Sequence, residues 1–455
     1  MKKRRLAAAL IVAAVVAFPL TGRAAERHVT LPEAIATALE QNYEMRASRN
    51  SLLARKAEIG VARASLLPHI AFEERASRTD NPPGVFMAKL NQQRFSLSDF
   101  DIASLNNPRP VTDLQSLVSL DQVVFAGAAF IGLDMARKEF AAGKEDFGRK
   151  SEETTLNVSE AYLATLTARE YVRVSRAGLD DAKEHMRIAD SRYRNSVGLY
   201  ADVLRAKTAV MEAEQRIVTS EKNLAVAKRS LGLLLGLEEP VDGAGEIPDL
   251  RLQEAEHYRN GALSRKDVKA MRVRYENAKN GVKLADSRYL PTVGLRASFQ
   301  TNDQRRLLGS EGDSWWVMGV LKWDLFDGGS REYERSKARL LRAETEERLK
   351  GLTQYASFKI DEAFLSAQEA GKNAELAASA LASAEEGRKL VKGRFENSLS
   401  PMVDLLDAQM SVDHARANIV ATENRYRLAI LRLGYESGTI LEDLGIEPVP
   451  VGRVK

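Results

Sequence analysis

Asp404 and Asp407 are the carboxylates in this 455-residue chain whose spacing first invites a chemical role. Acids gathered in one place favour cations and respond to pH or divalent ions by neutralisation. Their setting also has a plain structural account. Ser400 reads as a helix N-cap and Pro401 as the first helical position, so both acids sit near a helix N-terminus, where the dipole favours negative charge. Nothing catalytic accompanies them. The five histidines (His28, His69, His185, His257 and His414) show no ligand spacing, and no HExxH, GxSxG or P-loop pattern occurs. The chain has no cysteine, which excludes a disulfide framework, a thiolate metal site and an N-terminal lipid acceptor. The expectation is a protein that is not an enzyme and carries no cofactor and no metal.

The elements that position these residues come from a unit used twice. Ala64-Ser65-Leu66-Leu67-Pro68 returns as Ser287-Arg288-Tyr289-Leu290-Pro291, and Val124-Phe125-Ala126-Gly127 as Leu325-Phe326-Asp327-Gly328. Tyr193-Arg194-Asn195-Ser196-Val197 then matches Phe395-Glu396-Asn397-Ser398-Leu399, and Asp202-Val203-Leu204 matches Asp404-Leu405-Leu406. The first unit is placed at 25–240 and the second at 241–445, with a tail at 446–455. Between Thr79 and Asp113 the first unit carries extra residues rich in Asn and Pro, which read as a long loop.

Within each unit the hydrophobic period runs from helical to alternating and back. Val293, Leu295, Ala297 and Phe299 alternate with polar neighbours, the pattern of a strand with one apolar face. Strands are predicted at about 69–78, 114–125, 292–301 and 315–325, and long helices at about 129–196, 200–235, 330–397 and 401–434. The two longest would each reach roughly 100 Å at the α-helical rise. Along 330–397 the residues Ala356, Ile360, Ala363, Ala367, Ala370, Ala374, Ala377, Leu381, Ala384, Arg388, Val391 and Phe395 form a heptad seam broken only by Arg388. Mostly small residues let helices approach closely and favour broad sheets of helices.

The formal net charge is +4, but Lys2, Lys3, Arg4, Arg5 and Arg23 belong to a start that reads as a secretory signal over 1–24: basic residues, an apolar stretch from Leu6 to Phe18, then small residues. Removing it leaves a slightly acidic chain, so the pI of about 9.0 implies no nucleic-acid partner. No later stretch is apolar and long enough for a transmembrane helix. A membrane location must therefore rest on strands. Four strands cannot close a barrel, since about eight is the minimum, and an open edge in lipid leaves backbone groups unpaired at several kcal/mol each. The chain must oligomerise, and three copies, unlike two, give a barrel with a lumen.

The doubled order of motifs, the LLP and YLP helix ends, the FAG and FDGG strand ends and the paired hairpin tips resemble the TolC-like outer membrane factor family, over about Val29 to Gly445. The capping-box opening Thr30-Leu31-Pro32-Glu33 is also usual there. The resemblance implies a mainly α fold: tandem long hairpins forming a trimeric α-barrel tunnel, with four strands per chain in a 12-stranded outer-membrane β-barrel. It implies a homotrimer in outer-membrane lipid, with its helices in the periplasm, meeting a periplasmic adaptor and an inner-membrane pump, proton-driven or ATP-driven. The implied function is a passive exit duct for drug or metal efflux or for type I secretion.

The same resemblance assigns Asp404 and Asp407 to the periplasmic aperture, where threefold symmetry makes two carboxylate rings. It assigns Val197, Gly198, Leu199, Ser398, Leu399 and Ser400 to the tips that dock the adaptor, and the strand context makes Trp315, Trp316 and Trp323 an interfacial aromatic girdle. Phe395 and Ser400 depart from the family, which carries a tyrosine and an arginine there to lock the aperture. Tyr193 and Arg205 are the candidate substitutes. Two other readings stand beside the duct: a periplasmic adaptor protein, which normally has a single hairpin inside a split lipoyl-like motif, and a structural periplasmic coiled coil, which leaves the strand alternation unexplained.

Overall fold

The computed structural model describes residues 27–245, 250–397 and 399–447. The expected signal at 1–24, Ser398 of the second turn and the end of the 446–455 tail lie outside them. In chain order the strands are β1 (Arg27–Val29), β2 (His69–Thr79), β3 (Val111–Phe125), β4 (Val241–Gly243), β5 (Thr292–Asp303) and β6 (Gly312–Lys322). The helices are α1 (Leu31–Gln41), α2 (Tyr43–Ala64), α3 (Pro82–Asn91), α4 (Ile102–Asn106), α5 (Gly127–Arg194), α6 (Tyr200–Leu234), α7 (Ala255–Arg259), α8 (Lys266–Ser287), α9 (Ser330–Glu396), α10 (Met402–Ser437) and α11 (Ile440–Asp443). Helix dominates, as expected, and α5 and α9 run unbroken because neither contains a proline. Among the described residues no helix is long and apolar enough to cross a membrane.

The chain divides into two compact units: one gathers residues up to Asn42, Thr154–Arg251 and Ala367–Ala429, the other Tyr43–Glu153, Leu252–Ser366 and the residues from Ile430 onward. The second contains a four-stranded antiparallel sheet in the order β2-β3-β5-β6. Its register sets Phe72, Val118, Phe299 and Trp315 in one row, and Ile70, Leu120, Ala297 and Val317 in another. Opposed residues share a face, so these rows form an apolar band on one side, on which Phe72, Phe299 and Val317 are exposed, with Glu74, Ser116, Thr301 and Asp313 in the next row of that side. The other side carries polar rows, including Glu73, Leu117, Gln300 and Ser314, and an Arg296–Asp121 ion pair at 2.9 Å.

The segment expected as a loop between Thr79 and Asp113 is folded instead. Pro82 and Pro83 open α3, since proline's fixed φ suits a first helical turn. Val85 and Ala88 of α3 bury against Val111, and fully buried Gln92 donates to the Thr112 carbonyl at 2.9 Å and the Asp113 carboxylate at 2.8 Å. Phe86, Phe95 and Phe100 meet edge to face at 4.8 and 5.1 Å.

In the first unit, β1 pairs in parallel with β4, and Thr30 N–H donates to Glu33 at 2.9 Å, the capping-box contact at the start of α1. The Tyr162 hydroxyl donates to the Ala244 carbonyl at 2.8 Å, while Arg169 and Lys228 both pair with Asp242. Here the predicted α9 seam is buried at Ala367, Ala370, Ala377 and Phe395 and half-buried between them, and α5 buries Val158, Ala168, Ala182 and Ala189.

Candidate functional site at the hairpin tips

Two hairpins, α5 with α6 and α9 with α10, end in the first unit with the same turn chemistry. At the first tip Ser196 takes a left-handed φ of 56°, and the Ser196 and Val197 N–H groups donate to Tyr193 and Arg192 carbonyls, each at 2.9 Å. This is the Schellman closure with serine where glycine is usual. The Asn195 amide caps Ser191 O at 2.8 Å. At the second tip Leu399 N–H donates to Arg394 O at 2.8 Å, and the Asn397 amide to Gly393 O at 2.8 Å, the equivalent bonds of the second repeat. Both turns leave apolar side chains in the open, with Val197 63%, Leu199 68% and Leu399 69% exposed. Gly198 sits so close to the helix end that a Cβ would lie 3.2 Å from the Arg192 carbonyl carbon.

Ser400 does not cap α10. The helix starts at Met402, so Pro401 occupies the position before it and Ser400 falls one residue too early. Its buried hydroxyl oxygen has no hydrogen-bond partner among the described residues. Asp404, in the first turn of α10, and Asp407, one turn on, are both exposed. Neither carboxylate has an ion-pair or hydrogen-bond partner among the described residues, and Asp407 borders a groove of about 420 Å³ shared with Leu204, Arg205 and Met410. Behind them Phe395, Met402 and Leu405 of the second hairpin pack with Ala189 and Ala206 of the first. Arg192 covers the Phe395 ring at 4.8 Å and donates to its carbonyl at 2.8 Å.

Tyr193 and Arg205 both turn to partners in their own hairpin. Tyr193 packs on Tyr200 at 5.3 Å, and Arg205 pairs with Asp202 at 3.6 Å. Besides the Arg192 bond to the Phe395 carbonyl, a larger set of polar contacts joining the hairpins lies further from the tips and was not anticipated. Asp181 of α5 accepts through one oxygen from Arg388 at 3.0 Å, Gln409 at 3.1 Å and Arg416 at 3.2 Å. Arg416 also reaches Glu385 at 3.3 Å. Gln409, buried, accepts from Arg388 at 3.1 Å, donates to Asp413 at 2.9 Å, and meets His185 Nε2 at 3.3 Å. His185 is buried with Nδ1 unpartnered among the described residues. Burial pushes its imidazole below the ordinary value, outweighing the Gln409 bond and the Asp181 charge that favour protonation. One signal for the cluster was visible in the sequence, since Arg388 is the lone charge in the α9 seam.

In the sheet, adjacent Trp315 and Trp316 fall on opposite sides: Trp315 on the apolar face in register with Phe299, Trp316 on the polar face opposite Ser298. Trp323 lies just beyond β6, and its indole N–H donates to the Tyr289 carbonyl at 3.2 Å.

Long helical hairpins together with a small sheet of one apolar and one polar face define a channel-tunnel class of protein. The chain belongs to the outer membrane efflux protein family, whose model matches residues 34–237 and 258–435. It is 26% identical over 350 residues to outer membrane protein OprJ of Pseudomonas aeruginosa, covering 74% of this chain and 72% of that one. It is 22% identical over 358 residues to outer membrane protein TolC of Vibrio cholerae, covering 74% and 79%. Among solved structures, outer membrane protein VceC of Vibrio cholerae matches with a TM-score of 0.73 and 18% identity, over 92% of this chain and 97% of that one. The protein is thus an outer-membrane channel of the efflux and secretion kind, with its helical part in the periplasm, in a family of channels rather than enzymes. The resemblance drawn from the motif order holds, and the adaptor and coiled-coil readings lose their ground.

Proposed function

We propose that three copies of this chain form a passive exit duct, the outer-membrane part of a tripartite efflux pump or type I secretion system. The observation that carries the reading is the four-stranded sheet, whose outer strands β2 and β6 each pair on one side only while one face carries the apolar rows through Ile70 and Phe72. Three such sheets joined edge to edge make twelve strands, with the apolar rows towards lipid and the polar rows towards a lumen. Trp315 and Trp323 belong to the membrane-interface girdle, and Trp316 faces the lumen. Each chain contributes two structural repeats, 25–240 and 241–445. A periplasmic adaptor docks on the tips at Val197, Gly198 and Leu199 and at Ser398, Leu399 and Ser400, where Val197, Leu199 and Leu399 are exposed, and an inner-membrane pump, proton-driven or ATP-driven, supplies the energy.

The detergent-extracted protein should have the mass of a trimer and conduct ions in planar bilayers. A monomer that stays soluble without detergent would sink the reading. Asp404 and Asp407, exposed and unpaired, fit carboxylate rings at the periplasmic aperture. Replacing both by alanine should weaken block of the pore by divalent cations, read as a higher blocking concentration. An unchanged blocking concentration would remove their role.

A further inference from the structure

We propose that the turn between β5 and β6 binds the phosphorylated headgroup of an outer-leaflet glycolipid, through the guanidinium groups of Arg78, Arg305 and Arg306 and the side chains of Leu307 and Leu308. The proposal rests on the duct reading. Helices α2 and α8 lead into β2 and β5, and β3 and β6 lead into α5 and α9. The opposite end of the sheet, with Thr79, Val111, Asp303 and Gly312, therefore faces away from the periplasm. Along the apolar side the rows change towards that end in a set order. The row of Phe72 and Trp315 is followed by that of Glu74 and Asp313, then by Ala76, Leu114 and Asp303, and last by Arg78. Arg78 stands about 20 Å beyond Phe72 along a tilted strand. With Phe72 among the acyl chains, this puts Arg78 at headgroup level.

The turn folds onto this same side. Asp303, buried, accepts from the Arg305 and Arg306 N–H groups at 2.7 and 2.9 Å, and a Cβ on Gly309 would run into the Asp303 side chain. The Leu308 N–H reaches Glu74 at 3.5 Å, and the Gln304 N–H donates to Glu311 at 3.2 Å. These acids thus bond inward to the backbone of the turn. The guanidinium groups of Arg78, Arg305 and Arg306 are exposed and have no hydrogen-bond or ion-pair partner among the described residues. Beside them Leu307 and Leu308 are 64% and 71% exposed, and Leu308 holds a left-handed φ of 60° that costs a leucine more than a glycine. Exposed leucines next to unpaired arginines suit neither water nor a bare anion. They fit a molecule in which phosphate and acyl chain are joined, because the arginine fork matches phosphate bidentately and the leucines bury against hydrocarbon.

The test uses the full-length trimer in detergent, with diphosphorylated lipid A as the probe and EDTA present, so that no divalent cation bridges phosphate to exposed Asp313. Binding is read by native mass and by the shift in melting temperature. Wild type should bind the diphosphorylated lipid about ten-fold or more tightly than its dephosphorylated form, and Arg305→Gln combined with Arg306→Gln should remove most of that preference. Arg78→Gln should remove a smaller part. Equal affinity of wild type for the two lipids overturns the proposal, as does a double variant that keeps the full preference. Displacement of the lipid by inorganic phosphate alone overturns it in favour of a simple anion site. Where the double variant fails to assemble, Arg78→Gln decides, and an unchanged preference there overturns the proposal. Wild-type protein that neither trimerises nor conducts overturns the duct reading instead, and that result precedes any lipid measurement.

Discussion

Gly236 and His185 show how single residues constrain the helical unit. Gly236 ends α6 at φ 76°, and a Cβ there would lie 2.5 Å from the Gln41 carbonyl oxygen. Gly236→Ala should therefore lower stability by about 1–2 kcal/mol or more, because a left-handed L-residue is strained and the contact is with backbone, and a lower melting temperature is the readout. His185 carries the pH dependence. Its imidazole is depressed in the folded state from an ordinary value of 6.5, so the unfolded chain takes up a proton first as pH falls. The stabilisation is complete above that ordinary value and is lost as pH drops from there through the folded value. The charged groups around it, Asp181, Arg388 and Lys392, hold opposite signs and do not reverse the direction. In His185→Gln the part of the acid-induced loss of melting temperature that sets in below about pH 6.5 should disappear; an identical pH profile would clear His185 of the effect. Residue types alone did not reveal this site. The break at Arg388 in the α9 seam pointed to one member, but Asp181 is far from it in sequence and resembles the solvated charges that fill both long helices.

At the scale of elements, what was legible depended on periodicity. The alternation of Val293, Leu295, Ala297 and Phe299 is a local signal of one apolar face, and β5 presents these residues on one side of the sheet. The small-residue seam was legible for the same reason, since a stripe at steps of four and three can bury only along one line of a helix. The segment between Thr79 and Asp113 was misjudged because Asn and Pro usually punctuate loops, while here two prolines begin a helix and one glutamine fastens its end. Gln92→Leu should cost about 1–3 kcal/mol by leaving the Thr112 carbonyl and Asp113 carboxylate short of a donor. Limited proteolysis should then cut within 80–110 faster than in wild type, and equal cutting rates would show that the bonds do not hold α3 down. The misplaced N-cap at Ser400 has a similar origin, because a serine before proline suggests a helix start that the observed boundary puts one residue later.

At the scale of the whole molecule, the sheet faces make opposite demands. Phe72 lies on the apolar side and Glu73 on the polar side of the same strand. In the duct, Phe72→Arg places a charge against lipid at about 2–4 kcal/mol near the midplane, whereas Glu73→Arg faces water. The yield of trimer from outer-membrane fractions should fall for the first and hold for the second. Equal yields would argue against the assignment of faces. The same sheet also limits how the protein can be made. A lone chain has no comfortable solvent: water meets the apolar rows, and lipid meets the two unpaired edges of β2 and β6. In the proposed three-chain duct, delivery to the membrane and meeting of partners thus become a single event, and a shortage of sister chains would leave each newcomer exposed to mispairing and proteolysis rather than waiting safely in the bilayer.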